Sequence, residues 1–264
     1  MKGYPLVTLK AIKNAAQLIE KDIFRTPLIF SPQLAKTLGV REACLKLENL
    51  QYTGSFKERG ALNKILSLTD EQRKAGLITI SAGNHAQGVA YHAQRLGLAV
   101  TVVMPETAAL TKISRCKAFG AEVILQGKNF DEAMVFAKKL ADEKRLSMVH
   151  PYEDEAVIAG QGTIGLEIVQ DKPDMDILVV PVGGGGLIGG ISAAIKNVQP
   201  KIKIIGAVSN AYPALYELFR EEEGHEKEHE PTGLETIADG VAVKRPGKIN
   251  LALIREYVDD IVIV

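Results

Sequence analysis

Ile177-Leu178-Val179-Val180-Pro181-Val182-Gly183-Gly184-Gly185-Gly186-Leu187-Ile188-Gly189-Gly190 is the stretch whose reading decides the fold of this chain. The continuously apolar Ile177–Val180 reads as a strand buried on both faces. Four glycines close it, and an apolar helix opens directly behind them. Glycines at such a junction let the backbone turn tightly and aim several N–H groups at one anion, with the helix dipole adding attraction. No Gly-Lys-Ser/Thr follows, so the loop is not a P-loop. The next strand, Lys203–Val208, ends in Ser209-Asn210 and not in the acidic residue a dinucleotide ribose needs about 20 residues on. A compact phosphate monoester fits best. Glycines kept only for close helix–sheet packing are the competing reading.

Outward from that stretch the same rhythm repeats. Strand-like runs Leu77–Ser81, Val100–Met104, Glu122–Leu125, Ile177–Pro181 and Lys203–Val208 are followed by helical stretches. Those are Asn84–Leu96, Leu110–Phe119, Phe130–Leu140, Leu187–Lys196 and Pro213–Glu222. Strands separated by helices of that length need crossover connections, which predicts an α/β fold of mainly parallel sheets flanked by helices. Val100–Val103, like Ile177–Val180, is expected to be covered on both faces. No internal repeat or low-complexity linker divides the chain. Its 264 residues suffice for one large domain or two small ones.

Composition removes several classes of function. The 32 basic and 32 acidic side chains balance, which argues against a nucleic-acid partner or an anionic membrane surface. Apolar runs stay short of the about 18 residues a membrane span requires. Met1-Lys2-Gly3-Tyr4-Pro5 leads into no apolar signal core. Cys44 and Cys116 form neither a disulfide framework nor a metal knuckle, so a reducing, cytoplasmic location is expected. His225-Glu226-Lys227-Glu228-His229 matches the zinc-protease pattern, but its charged neighbours and Pro231 make it a solvated loop.

Two further segments carry chemistry. Ser81-Ala82-Gly83-Asn84-His85-Ala86-Gln87-Gly88 joins a strand to a helix, and its free N–H groups suit a carboxylate. Alone it reads as a helix cap built on Ser81 or Asn84. In Thr53-Gly54-Ser55-Phe56-Lys57-Glu58-Arg59-Gly60-Ala61, Ser55 can cap a helix that has Lys57 in its first turn. A lysine at the positive end of a helix, if also desolvated, loses its proton easily. A Schiff-base lysine needs this, because only the neutral amine attacks an aldehyde. An isolated lysine is otherwise a surface residue.

These segments resemble the fold-type II pyridoxal 5′-phosphate enzymes, most closely the short threonine/serine dehydratases. Gly54–Ala61, Ser81–Gly88, Gly160-Gln161-Gly162-Thr163-Ile164-Gly165-Leu166-Glu167, Gly183–Gly186 and Ile237-Ala238-Asp239-Gly240 occur in the family's order. The resemblance implies Lys57 as the catalytic residue, carrying the cofactor as a Schiff base and removing the Cα proton. It implies Phe56 against the pyridine ring, Asn84 on the 3′-oxygen, Gly183, Gly184, Gly185 and Gly186 around the phosphate, and Gly240 close to the cofactor. It also implies that Ser81, Ala82, Gly83, Asn84 and His85 receive the substrate carboxylate. Two domains follow by the same analogy: a smaller one over 47–150, and a larger one from 1–46 plus 151–264 that lacks its C-terminal part. The reaction implied is dehydration and deamination of L-threonine, and of L-serine, to a 2-oxo acid and ammonia, in biosynthesis of isoleucine or catabolism of threonine. The expected partners are a small amino acid and further copies of the chain, as a homodimer or homotetramer.

The sequence departs from the family's pattern in three places. Ala82 stands where serine racemases carry a serine that protonates the opposite face, which favours elimination over racemisation. Ser209-Asn210-Ala211 lacks the carboxylate of the relatives' divalent-cation site, so no metal is expected there. The pattern breaks off at Val258–Val264 in mid-strand, and no residue takes the role of hydrogen-bonding the pyridine nitrogen. A serine racemase-type enzyme, a truncated non-catalytic cofactor-binding protein and a nucleotide-binding α/β protein are the alternatives. His85 is expected to shape the asparagine loop, His92 and His150 to be structural, and Cys44 to pack as a small hydrophobe.

Overall fold

The computed structural model describes residues 7–221 and 236–264. His225–His229 lies outside the described residues. The chain opens with α1 (Leu9–Ile19), β1 (Leu28–Phe30), α2 (Pro32–Leu38) and β2 (Cys44–Lys46), the two strands forming an antiparallel pair. It continues through α3 (Lys57–Ser67), α4 (Asp70–Ala75), β3 (Leu77–Ile80), α5 (Asn84–Arg95) and β4 (Val100–Met104). Next come α6 (Leu110–Ala118), β5 (Glu122–Leu125), α7 (Phe130–Lys144) and β6 (Ser147–Met148). The remainder runs α8 (Glu155–Asp171), β7 (Ile177–Val182), α9 (Gly186–Lys196), β8 (Lys203–Val208), α10 (Ala214–Arg220), α11 (Lys248–Tyr257) and β9 (Asp260–Ile263).

Strands β3 to β6 make a four-stranded parallel sheet in the order β5-β4-β3-β6. The side chains alternate across it as strand geometry requires. Leu77, Val102 and Met104 pack with α3, α5 and α6 on one face, and Ile78, Ile80 and Val103 with α7 on the other. Val100–Met104 is buried throughout, as the sequence predicts. The order reverses at β3, which has β4 on one side and β6 on the other. Parallel sheets bind ligands outside the carboxyl ends of their strands at such a switch point.

The second sheet is three parallel strands in the order β7-β8-β9. Here one expectation fails. Ile177–Val180 is not buried on both faces: Val180 and Val182 are buried, but Ile177 and Val179 are more than half exposed. β7 is an edge strand whose inner face packs into the core with α9. Among the described residues nothing covers the outer face, so a continuously apolar run ends up buried on alternate residues. Cys44 is half-buried on β2, and Cys116 is buried.

The two sheets are joined through α8, which lies between α3 and α9. Small residues make this possible. A Cβ at Gly160 would stand 2.6 Å from the Arg59 carbonyl oxygen, and one at Gly162 would stand 2.8 Å from that of Gly190. Backbone therefore touches backbone on both sides of α8. A buried ion network reinforces the α3 side: Arg59 pairs with Glu48 at 2.8 Å and Glu167 at 2.6 Å, and Lys46 pairs with Glu167 at 2.5 Å. A buried guanidinium is tolerated only when paired in this way.

Candidate active site

The carboxyl end of β3, the segment after β6, the start of α3 and the glycine loop after β7 converge on one cleft of about 330 Å³. Phe56, Lys57, Ser81, Ala82, Gly83, Asn84, His85, Gly183, Gly184, Gly185, Gly186 and Gly240 all line it. The sequence-predicted residues, up to 184 positions apart in the chain, thus meet at one place.

Lys57 is the first residue of α3, and its N–H donates to Ser55 Oγ at 3.4 Å. Its Nζ donates to the Pro151 carbonyl at 2.7 Å and stands 5.2 Å from the centre of the Phe56 ring. Burial disfavours the charged form and lowers its pKa to about 8. His85 is buried beside it, and its Nε2 donates to the Val149 carbonyl at 3.0 Å. Burial first, then the Lys57 charge, pushes that imidazole down to about 3, so it is neutral. His150 is held down to about 4, mainly by burial, and its Nδ1 accepts from the Glu153 N–H at 2.8 Å. That is a structural role, as expected. His92 is buried 3.6 Å from Glu58.

The two helix starts that point at the cleft carry no side-chain cap. Asp154 caps α8 and Asn129 caps α7 with side-chain oxygens. No side-chain cap hydrogen bond closes α5 or α9, whose N-cap residues are Gly83 and Gly185. The cap reading of Ser81–Gly88 is therefore corrected. Asn84 is already the first helical residue, and Ser81 Oγ accepts from the Gly83 N–H at 3.0 Å, outside the helix. Both helices present uncapped N–H groups beside Lys57, which suits two anions.

The glycine loop meets steric demands as well. A Cβ at Gly184 would stand 2.5 Å from the Tyr152 ring, and one at Gly186 would stand 2.9 Å from the Tyr152 carbonyl. Gly185 is left-handed, at φ 88°. Packing thus requires these glycines, and an anion-binding role remains compatible with it. Gly240 is different. A Cβ there would meet only Asn84 Nδ2, at 3.9 Å. The polypeptide leaves that space open on the cleft side, where a bound group would pass.

Two lining residues, and one buried behind them, carried no sequence signal. Tyr152 packs under the glycine loop, and its hydroxyl donates to the Arg245 carbonyl at 3.0 Å; burial raises its pKa. Lys112 on α6 forms an ion pair with Asp239 across the mouth of the cleft. Asn250, on α11, donates into the glycine loop. Their contacts join residues far apart in the chain, and no local pattern marks them. Among the described residues, no cluster of three or more His, Cys, Asp or Glu side chains could hold a metal. None of the described helices is long and apolar enough to cross a membrane.

A half-buried lysine with a lowered pKa, flanked by two uncapped helix ends at a sheet switch point, is an arrangement that could take the aldehyde and the phosphate of one cofactor. The open space at Gly240 agrees with such a group, so the residues fit pyridoxal phosphate. The chain belongs to the pyridoxal-phosphate dependent enzyme family, whose model matches residues 19–264. It is 48% identical to an L-threonine ammonia-lyase of Thermotoga maritima, over 98% of this chain and 63% of that protein. The chain thus spans less than two thirds of that relative's length. The structure of the processed form of threonine deaminase isoform 2 from Solanum lycopersicum superposes with a TM-score of 0.89 at 38% identity, covering 97% of this chain and 69% of that one. Maize serine racemase superposes with a TM-score of 0.92 at 30% identity, covering 98% and 77%. The resemblance drawn from the sequence motifs is confirmed at the level of family and fold.

Proposed function

We propose that this chain catalyses dehydration and deamination of L-threonine, and of L-serine, to a 2-oxo acid and ammonia. The observation that carries the reading is the half-buried Lys57 amine, its pKa lowered to about 8, in one cleft with the glycine loop and the Asn84 loop. The 48% identity to an L-threonine ammonia-lyase supports the reaction class. Gly183–Gly186 would hold the cofactor phosphate, Phe56 the face of its ring, Asn84 its 3′-oxygen, and Gly240 would lie alongside it. Pyridoxal phosphate, when bound, supplies an aldehyde for amine condensation and an electron sink for charge developing at Cα.

The uncapped start of α5, from Ser81 to His85, would receive the substrate carboxylate and so orient Cα. Lys57 Nζ, once free, accepts the Cα proton as a general base, which its lowered pKa permits near neutral pH. Neutral His85 beside it adds no competing positive charge. Ala82 has no hydroxyl to return a proton to the opposite face of Cα. That favours elimination over the racemisation suggested by the likeness to maize serine racemase.

The same reading assigns residues 47–150 to a smaller domain and 1–46 with 151–264 to a larger one. Support comes from the first parallel sheet lying within 77–148 and the second within 177–263. It also assigns a cytoplasmic location, for which two cysteines too few for a disulfide framework speak, and a homo-oligomer, on the family resemblance alone. The test uses purified chain with pyridoxal phosphate and either L-threonine or L-serine, coupled to 2-oxo acid detection. Visible cofactor absorbance and 2-oxo acid release are expected, and Lys57→Ala should lose both. Undiminished turnover in that variant sinks the assignment, and net D-serine formation selects the racemase reading.

A further inference from the structure

Asn250 is fully buried on α11, and both hydrogens of its side-chain amide are used. Nδ2 donates to the Gly184 carbonyl at 2.6 Å and to the Tyr152 carbonyl at 3.0 Å. The Gly247 N–H donates to the same Gly184 oxygen at 3.3 Å. Two donors from the α11 side therefore fix which way that carbonyl points. A peptide unit is planar and trans, so its N–H points opposite to its C=O. Holding the Gly184 carbonyl towards α11 turns the Gly185 N–H away from α11, to the side of the loop that lines the cleft. The packing is tight enough to transmit this, since a Cβ at Gly185 would stand 2.9 Å from Asn250 Cβ. The Tyr152 carbonyl, bound by the same amide, belongs to the residue whose ring underlies Gly184.

We infer that Asn250 is the positioning residue of the anion loop: it sets the peptide orientation that lets Gly183–Gly186 donate to a phosphate. It touches neither cofactor nor substrate itself. The inference rests on the cofactor reading above, and it predicts a defect confined to the phosphate end. Asn250→Leu keeps the size of the side chain and removes both donors. A misaligned N–H facing a phosphate loses a charge-assisted hydrogen bond, so affinity for pyridoxal phosphate should fall about tenfold or more. Affinity for pyridoxal, which has no phosphate, should stay within about twofold, because Lys57 is untouched.

The experiment titrates the 264-residue chain, freed of cofactor, with pyridoxal phosphate and with pyridoxal, wild type beside variant. Loss of the phosphate preference in the variant supports the inference. Equal loss for both ligands assigns Asn250 a merely structural role and overturns it, as does an unchanged preference. If wild type itself binds neither ligand, the cofactor reading fails instead. Should Asn250→Leu not fold, Asn250→Ser, which keeps one donor, takes its place, with the ³¹P resonance of bound cofactor as readout. An altered ³¹P signal with an intact aldehyde chromophore supports the inference, and an unaltered one overturns it.

Discussion

Lys57 gives up its proton near about 8 where a lysine in water does so at 10.5, and this has a cost to the fold. Below about 8 the folded chain holds a partly desolvated cation; between 8 and 10.5 the unfolded chain binds more protons than the folded one. Stability must therefore rise with pH across that window and carry the full penalty below it. Lys57→Met should stabilise the cofactor-free protein at pH 7 by up to about 3 kcal/mol, with the gain fading by pH 10.5. Thermal denaturation of both proteins against pH checks this, and a pH-independent difference contradicts it. That Lys57, Asn84 and Gly183–Gly186 belong together was legible only through the family resemblance, since alone Lys57 reads as a surface residue and the Asn84 loop as a helix cap. Asn250 and Tyr152 were not legible. Asn250 reaches partners 66 and 98 residues away, and nothing in Lys248–Tyr257 distinguishes it from an ordinary amphipathic helix residue.

Helix α9 contains two adjacent glycines with opposite constraints. A Cβ at Gly190 would collide with the backbone of α8, 2.8 Å from the Gly162 nitrogen, whereas one at Gly189 would make ordinary contact with Leu253 at 3.4 Å. Gly190→Ala should cost about 3 kcal/mol through overpacking. Gly189→Ala should be neutral or gain up to about 1 kcal/mol from helix propensity. Urea unfolding of the two variants decides the matter; equal effects would show that the contact with α8 yields easily. The five strands and five helices given bounds from the sequence agree to within a residue or two at most ends, although α7 runs on to Lys144 and others, α8 and α11 among them, were given no bounds. What apolar periodicity could not report was which strand lies at a sheet edge. Ile177–Val180 and Val100–Val103 look alike in sequence, and only the arrangement of neighbours separates the exposed run from the buried one.

At the scale of the whole molecule, the ion pair between Lys112 and Asp239 spans the cleft mouth, with Asp131 and Arg245 at 3.7 Å nearby. Such partly exposed pairs contribute little to stability, about 1 kcal/mol or less. Asp239→Asn should leave the unfolding midpoint almost unchanged and raise the KM for amino-acid substrate, and added salt should raise the KM of wild type alone. Kinetics at two ionic strengths test this, and a large stability loss with unchanged KM contradicts it. The α/β class was legible from alternation alone, but the meeting of the two sheets was not, since it depends on α8 being bare enough for its neighbours to approach. That bareness has a consequence for recognition. At Gly160 the α3 backbone, and at Gly162 the α9 backbone together with the Ile12 side chain, lie within 3.0 Å of where a Cβ would stand, so little there can swing or compress. The start of α3, which carries the Lys57 amine, and the loop before α9 are thus set apart by backbone packing and not by movable side chains, so a phosphorylated aldehyde that joined them would be selected by its length.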